Sequence, residues 1–114
     1  MTEEGDIPEV DVDELSGRLA DGAMMLDVRE VGEVEEVRVP GGIHIPLQLV
    51  PGRLEEIPVG ETFYVICAVG GRSRSAVEFL RDAGFDAVNV AGGTKAWIAA
   101  GFRTASGPLE GEAS

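Results

Sequence analysis

The chain has 114 residues, with 21 Asp and Glu against 9 Lys and Arg, a formal net charge of −12 and a pI near 4.3. One domain fits this length, and 44% hydrophobic residues can build one core. The acidity argues against nucleic acid and anionic membrane surfaces as partners, because both repel a negative chain.

Cysteine and histidine occur once each, as Cys67 and His44. An intrachain disulfide and a Cys-rich zinc site are therefore excluded, and few soft metal ligands remain. No apolar run approaches the ~18 residues of a membrane span. The start, MTEEGDIPEV, is acidic where a signal peptide needs a basic and then an apolar region. These features lead to the expectation of a reducing cytoplasm.

Residues 1–6 and 104–114 are polar and small, so both are expected to be flexible. A first strand is expected at 8–12. Asp13 suits the N-cap of a short helix with Leu15 and Leu19 on one face, closed near Gly22. The run AMMLDV at 23–28 suits a strand buried on both faces. Val31, Val34 and Val37 suggest a short helix with Glu33, Glu35 and Glu36 outward. A brief strand at 43–45 stops at Pro46, and Val50, Leu54 and Ile57 fit a helix face interrupted by Pro51 and Gly52.

FYVIC at 63–67 is the strongest strand signal. Residues 73–83 read as helix, with Ala76, Phe79, Leu80 and Ala83 on one face and Gly84 as the stop. A strand at 87–90 and a helix at 94–100 complete the pattern. The alternation predicts an α/β domain with a largely parallel sheet and helices on both faces. Chemistry in such sheets collects at the carboxyl ends of the strands.

Cys67 lies at such an end. It is followed by Ala68, Val69, Gly70, Gly71, Arg72 and Ser73, and then by helix. A strand, a glycine turn and a helix N-terminus can turn successive N–H groups towards one point, where the helix dipole adds partial positive charge. Gly70 and Gly71 permit the positive φ such a turn requires. A thiol at that point has a depressed pKa, and its thiolate is a nucleophile. A lone cysteine ending a buried strand is more often a small packing residue. Packing alone, however, calls for neither a glycine turn nor an arginine.

The motifs then combine. LDVRE at 26–30, VPGGIHIP at 39–46, the Cys67 loop, Leu80 with Gly84-Phe85, and Gly92-Gly93 with Trp97 occur in order. This series resembles the rhodanese homology family over residues 7–103. The resemblance implies a rhodanese-like three-layer sandwich and a single-domain sulfurtransferase. Cys67 would take a sulfane sulfur from thiosulfate or another persulfide source. It would carry the sulfur as a persulfide, cradled by backbone N–H groups from Ala68 to Ser73. The acceptor would be cyanide in an assay, and a thiol or carrier protein in cells. No metal or organic cofactor is implied.

Two other functions share this pattern. One is a sulfur-relay or protein-interaction module with little free turnover. The other is a Cys-dependent phosphatase or arsenate reductase; the phosphatases that share this fold place five residues between cysteine and arginine. Here four residues, Ala68 to Gly71, lie between Cys67 and Arg72, a ring suited to sulfur rather than phosphate. The sequence departs from the family at 37–42, at Val34, and at Val69, where members that use thiosulfate well often carry a basic residue.

Other residues admit simpler roles. Arg72 either binds a substrate anion or braces the loop through its planar donor fork. Arg29 suits a surface ion pair, and Asp27 a buried, hydrogen-bonded position. Ser73 and Ser75 suit helix capping. Trp97 suits the core, and His44 has no indicated route to Cys67. The charge is uneven along the chain. Residues 1–36 hold 13 acidic and 2 basic side chains, whereas residues 37–109 hold 6 acidic and 7 basic. The acidic segment is screened beyond about 8 Å at physiological salt and leaves the region of Cys67 locally positive.

Overall fold

The computed structural model describes residues 7–109. The segment 1–6 and residues 110–114 of the expected tail lie outside the described residues. Five strands form one parallel sheet: β1 (Glu9–Val10), β2 (Met24–Asp27), β3 (Ile43–His44), β4 (Phe63–Ile66) and β5 (Ala87–Val90). Their spatial order is β1-β5-β4-β2-β3. The helices are α1 (Val12–Ala20), α2 (Val31–Glu36), α3 (Gly71–Asp82) and α4 (Gly93–Ala99).

The continuous apolar runs have a direct cause. Every residue of β4 and β5 is buried, because both faces of the sheet are covered. Successive side chains alternate between two cores. Phe63, Val65 and Ala87 pack on one face with Ala76, Val77 and Leu80 of α3. Tyr64, Ile66, Val88 and Val90 pack on the other with Val12 and Leu15 of α1 and Trp97 of α4. Burial of each such Val, Leu, Ile or Phe side chain contributes about 1.5–3 kcal/mol. The result is the expected three-layer α/β sandwich.

Several local expectations change. The N-cap of α1 is Asp11, not Asp13, and its carboxylate accepts the Glu14 N–H at 2.9 Å. Helix α3 begins at Gly71, two residues earlier than expected, and its buried face is Ser73, Ala76, Val77 and Leu80. Phe79 is 41% exposed and Ala83 is exposed, because at about 100° per residue both fall to the side of the face centred on Ser73, Ala76, Val77 and Leu80. The single helix expected around Val50 is instead two short 3-10 segments, Leu47–Gly52 and Leu54–Glu56, with Pro51 inside the first. Val50 and Ile57 are still buried.

Beyond α4 the backbone is tied down as far as Gly107. Arg38 and Ala105 exchange two hydrogen bonds of 2.9 Å, and the Gly107 N–H donates to the Glu35 carbonyl. No helix among the described residues is long and apolar enough to cross a membrane.

Candidate active site

Cys67 follows the last residue of β4 and lies between its neighbours at the carboxyl end of the sheet. The chain then turns through Ala68, Val69 and Gly70 into α3. Gly70 is the N-cap at φ +115°, a conformation that favours glycine. Its N–H donates to Cys67 Sγ at 3.1 Å.

The loop is oriented by α4. The Thr94 N–H and hydroxyl both donate to the Cys67 carbonyl, at 2.9 and 3.1 Å, and the Lys95 N–H donates to the Ala68 carbonyl at 3.0 Å. With these carbonyls held by α4, the following amides are directed at sulfur. The Gly92-Gly93 pair permits the close approach. A Cβ on Gly93 would stand 2.5 Å from the Cys67 carbonyl oxygen and 2.6 Å from that of Ala68.

The side chain of Cys67 is buried at 1% exposure. Burial pushes its pKa up. The Ser73 hydroxyl and the N–H groups of Ser73, Gly70 and Val69 favour the thiolate and outweigh burial, so the thiol titrates below its ordinary value. The Ser73 Oγ stands 3.4 Å from Sγ. It also donates to Asn89 Oδ1 at 2.5 Å. Asn89 in turn donates through Nδ2 to Glu9 on β1 at 2.8 Å.

Arg72 engages α2. Its two terminal nitrogens donate to the two carboxylate oxygens of Glu33 on α2, at 2.8 and 2.9 Å. This bidentate contact fastens the start of α3 to α2. Glu33 was expected to face outward; it is instead half-exposed and committed to this pair. The Arg72 guanidinium beside it lowers the Glu33 carboxyl pKa to about 2.

The remaining candidates separate from Cys67 or change role. Ser73 does not cap the helix: no side chain caps α3, and the Ser73 side chain is buried against sulfur. Ser75 is exposed. Arg29 is 3% exposed rather than at the surface. It forms a buried pair with Asp27 at 2.9 Å and donates to the Val37 carbonyl. Asp27 is buried and hydrogen-bonded, as expected. The His44 Nε2 is 2.7 Å from the Arg29 carbonyl, a contact in which the ring nitrogen donates. Trp97 packs in the α1/α4 core and donates to the Arg103 carbonyl.

Sequence reasoning missed Asn89. Its signal is a single amide in the otherwise apolar strand AVNV, on the face that receives α3.

Known proteins place this geometry in a family. The rhodanese-like domain family matches residues 11–100. A sulfurtransferase of Allochromatium vinosum is 34% identical over 99 residues, covering 84% of this chain and 92% of its own length. A putative sulfur carrier protein of Bacillus subtilis is 36% identical over 94 residues, covering 80% of this chain and 51% of its own. Among solved structures, a rhodanese-related protein of Thermoplasma volcanium superposes with a TM-score of 0.81 at 31% identity, covering 86% of this chain and 97% of that one. The strand-loop-helix around Cys67, the parallel sheet beneath it and this continuous match lead to one conclusion: the chain belongs to the rhodanese-like family.

Proposed function

We propose that this protein is a sulfurtransferase that carries sulfane sulfur on Cys67. The observation that supports this most directly is the ring of donors around one sulfur atom, with the Gly70 N–H at 3.1 Å and the Ser73 hydroxyl at 3.4 Å. In the first step the Cys67 thiolate attacks the sulfane sulfur of the donor. The new S–S bond forms as the donor's bond to that sulfur breaks, and the leaving group (sulfite from thiosulfate, a thiolate from a persulfide) takes the bonding pair. The persulfide sits at the helix N-terminus, where N–H groups stabilise its charge. In the second step a thiophilic acceptor attacks the outer sulfur, and the electron pair returns to Sγ as thiolate. No net oxidation occurs.

The surroundings favour a persulfide donor over thiosulfate. Arg72 pairs with Glu33 and Arg74 with Glu9, and the loop position Val69 is apolar and 59% exposed. A dianion therefore meets amides and a helix dipole but no dedicated cationic side chain from the loop. This also supports a relay role, with a thiol or carrier protein as acceptor.

Wild type and Cys67→Ser are incubated with thiosulfate or a small-molecule persulfide, and intact mass is measured before and after cyanide. The expected outcome is one added sulfur on wild type alone, loaded faster from the persulfide and released as thiocyanate. Absence of added sulfur with every donor would overturn the assignment. Hydrolysis of an aryl phosphate that is lost in Cys67→Ser would point to phosphatase chemistry instead.

A further inference from the structure

The Ser73 hydroxyl has one hydrogen and two neighbours that can accept it. Asn89 Oδ1 lies at 2.5 Å and Cys67 Sγ at 3.4 Å. Asn89 cannot turn its other end to Ser73, because Nδ2 donates to the Glu9 carboxylate, which only accepts, and faces the Gly70 carbonyl at 3.5 Å. Both Ser73 and Asn89 are buried, at 0% and 1% exposure, so neither has water as a substitute partner. A hydrogen given to sulfur is therefore withdrawn from a buried carbonyl oxygen.

We infer that Asn89, anchored by Glu9, is a positioning residue that gives the Ser73 hydrogen a resting place whenever Cys67 Sγ is uncharged. The inference rests on the reading of Cys67 as the nucleophile. In the resting thiol, S–H donates to Ser73 Oγ and Ser73 donates to Asn89. When the thiol loses its proton to solvent, the hydroxyl turns and donates to the thiolate. When Sγ forms a bond to sulfur, its charge passes to the outer atom or the leaving group, and the hydrogen returns to Asn89. On release of the outer sulfur, Sγ regains the electron pair and the hydroxyl turns back. The hydrogen follows the charge on Sγ, and no atom is gained or lost in the cycle.

Among the surrounding charges, the Arg72 guanidinium also favours the Cys67 thiolate through space. Arg72 is paired with Glu33 of α2, Arg74 with Glu9 of β1, and Arg29 with Asp27 at the end of β2, while Lys95 of α4 is exposed.

Without Asn89 the hydrogen has only sulfur to serve, so the thiolate is stabilised throughout. Without Ser73 the thiolate loses a donor. The two changes therefore move the Cys67 titration in opposite directions.

The test is the pH dependence of the iodoacetamide rate at Cys67, which needs no sulfur donor, with thermal melting as a check on folding. Asn89→Leu is expected to lower the apparent pKa, with about a threefold or greater gain in thiolate fraction, the scale of one hydrogen bond. Ser73→Ala is expected to raise it. In Ser73→Ala, adding Asn89→Leu is expected to change nothing further, since Asn89 acts through the hydroxyl. An Asn89→Leu shift that is absent, upward, or equally large without Ser73 would overturn the inference.

If Asn89→Leu does not fold, Glu9→Gln combined with Asn89→Asp keeps the formal charge and an amide-to-carboxylate contact at the same place. This pair strengthens the acceptor facing Ser73 and is expected to raise the Cys67 pKa, by less once Ser73→Ala is added. An undiminished rise would overturn the inference. Failed sulfur loading with these titrations intact would overturn the proposed activity and leave the role of Asn89 standing.

Discussion

Val69 is an exposed apolar side chain in the Cys67 loop. It follows Cys67 by two residues and is 59% exposed. Val69→Lys places a mobile cation beside the amide ring without touching the core. It is expected to lower the KM for thiosulfate by about two- to fivefold, the scale of an exposed ion contact, with little change in kcat. Steady-state thiocyanate kinetics check this, and an unchanged KM would show that side-chain charge at Val69 does not limit anion binding. The Cys67 loop was legible in the sequence because its spacing and its glycines are local properties. The partners of its side chains were not. Ser73 at a helix start suggests capping, and only the packing of α3 on β5 turns it towards Asn89. Arg72 left two roles open until the fold brought Glu33 of α2, 39 residues away in sequence, against it.

At the scale of elements, Gly93 and Gly17 serve opposite ends: one permits a close contact, and the other costs helix. Gly93 has φ +60°, and any Cβ there meets backbone oxygens of the loop. Gly93→Ala is expected to destabilise by about 1–3 kcal/mol and to slow Cys67 alkylation, because the loop must move. Gly17 lies inside α1 with nothing within 4 Å of its would-be Cβ. Gly17→Ala is expected to stabilise by about 0.5–1 kcal/mol with alkylation unchanged. Chemical denaturation and iodoacetamide rates on both variants distinguish the two kinds of glycine. Strands β2, β4 and β5 were legible because a buried parallel sheet writes continuous apolar runs. The 3-10 segments around Val50 were not, since their buried spacing imitates a helix and Pro51 alone does not say what replaces it.

For the whole molecule, the acidic first third is partly neutralised by distant arginines. Glu9 and Glu33 pair with Arg74 and Arg72, so charge that is separated along the chain meets at the site. The Glu33 carboxyl has a pKa near 2 in the fold against an ordinary 4.5. A depressed acid stabilises the fold fully above its unfolded pKa and loses that contribution as pH falls through the folded value. Thermal melts of wild type and Glu33→Gln are therefore expected to differ above about pH 5 and to converge towards pH 2. Because the pair is half-exposed, the difference is expected to stay within about 1 kcal/mol. Melts that differ equally at pH 2 and pH 6 would show that the charge of Glu33 is not what braces α3.

The seam between α4 and the loop has a consequence for transplantation. The carbonyls of Cys67 and Ala68 find their donors at Thr94 and Lys95, not within their own turn. A segment cut at Cys67 and Ser73 and spliced into another parallel sheet would carry those acceptors without their donors. The portable unit is therefore discontinuous: the loop travels only together with the first turn of the helix that follows the next strand.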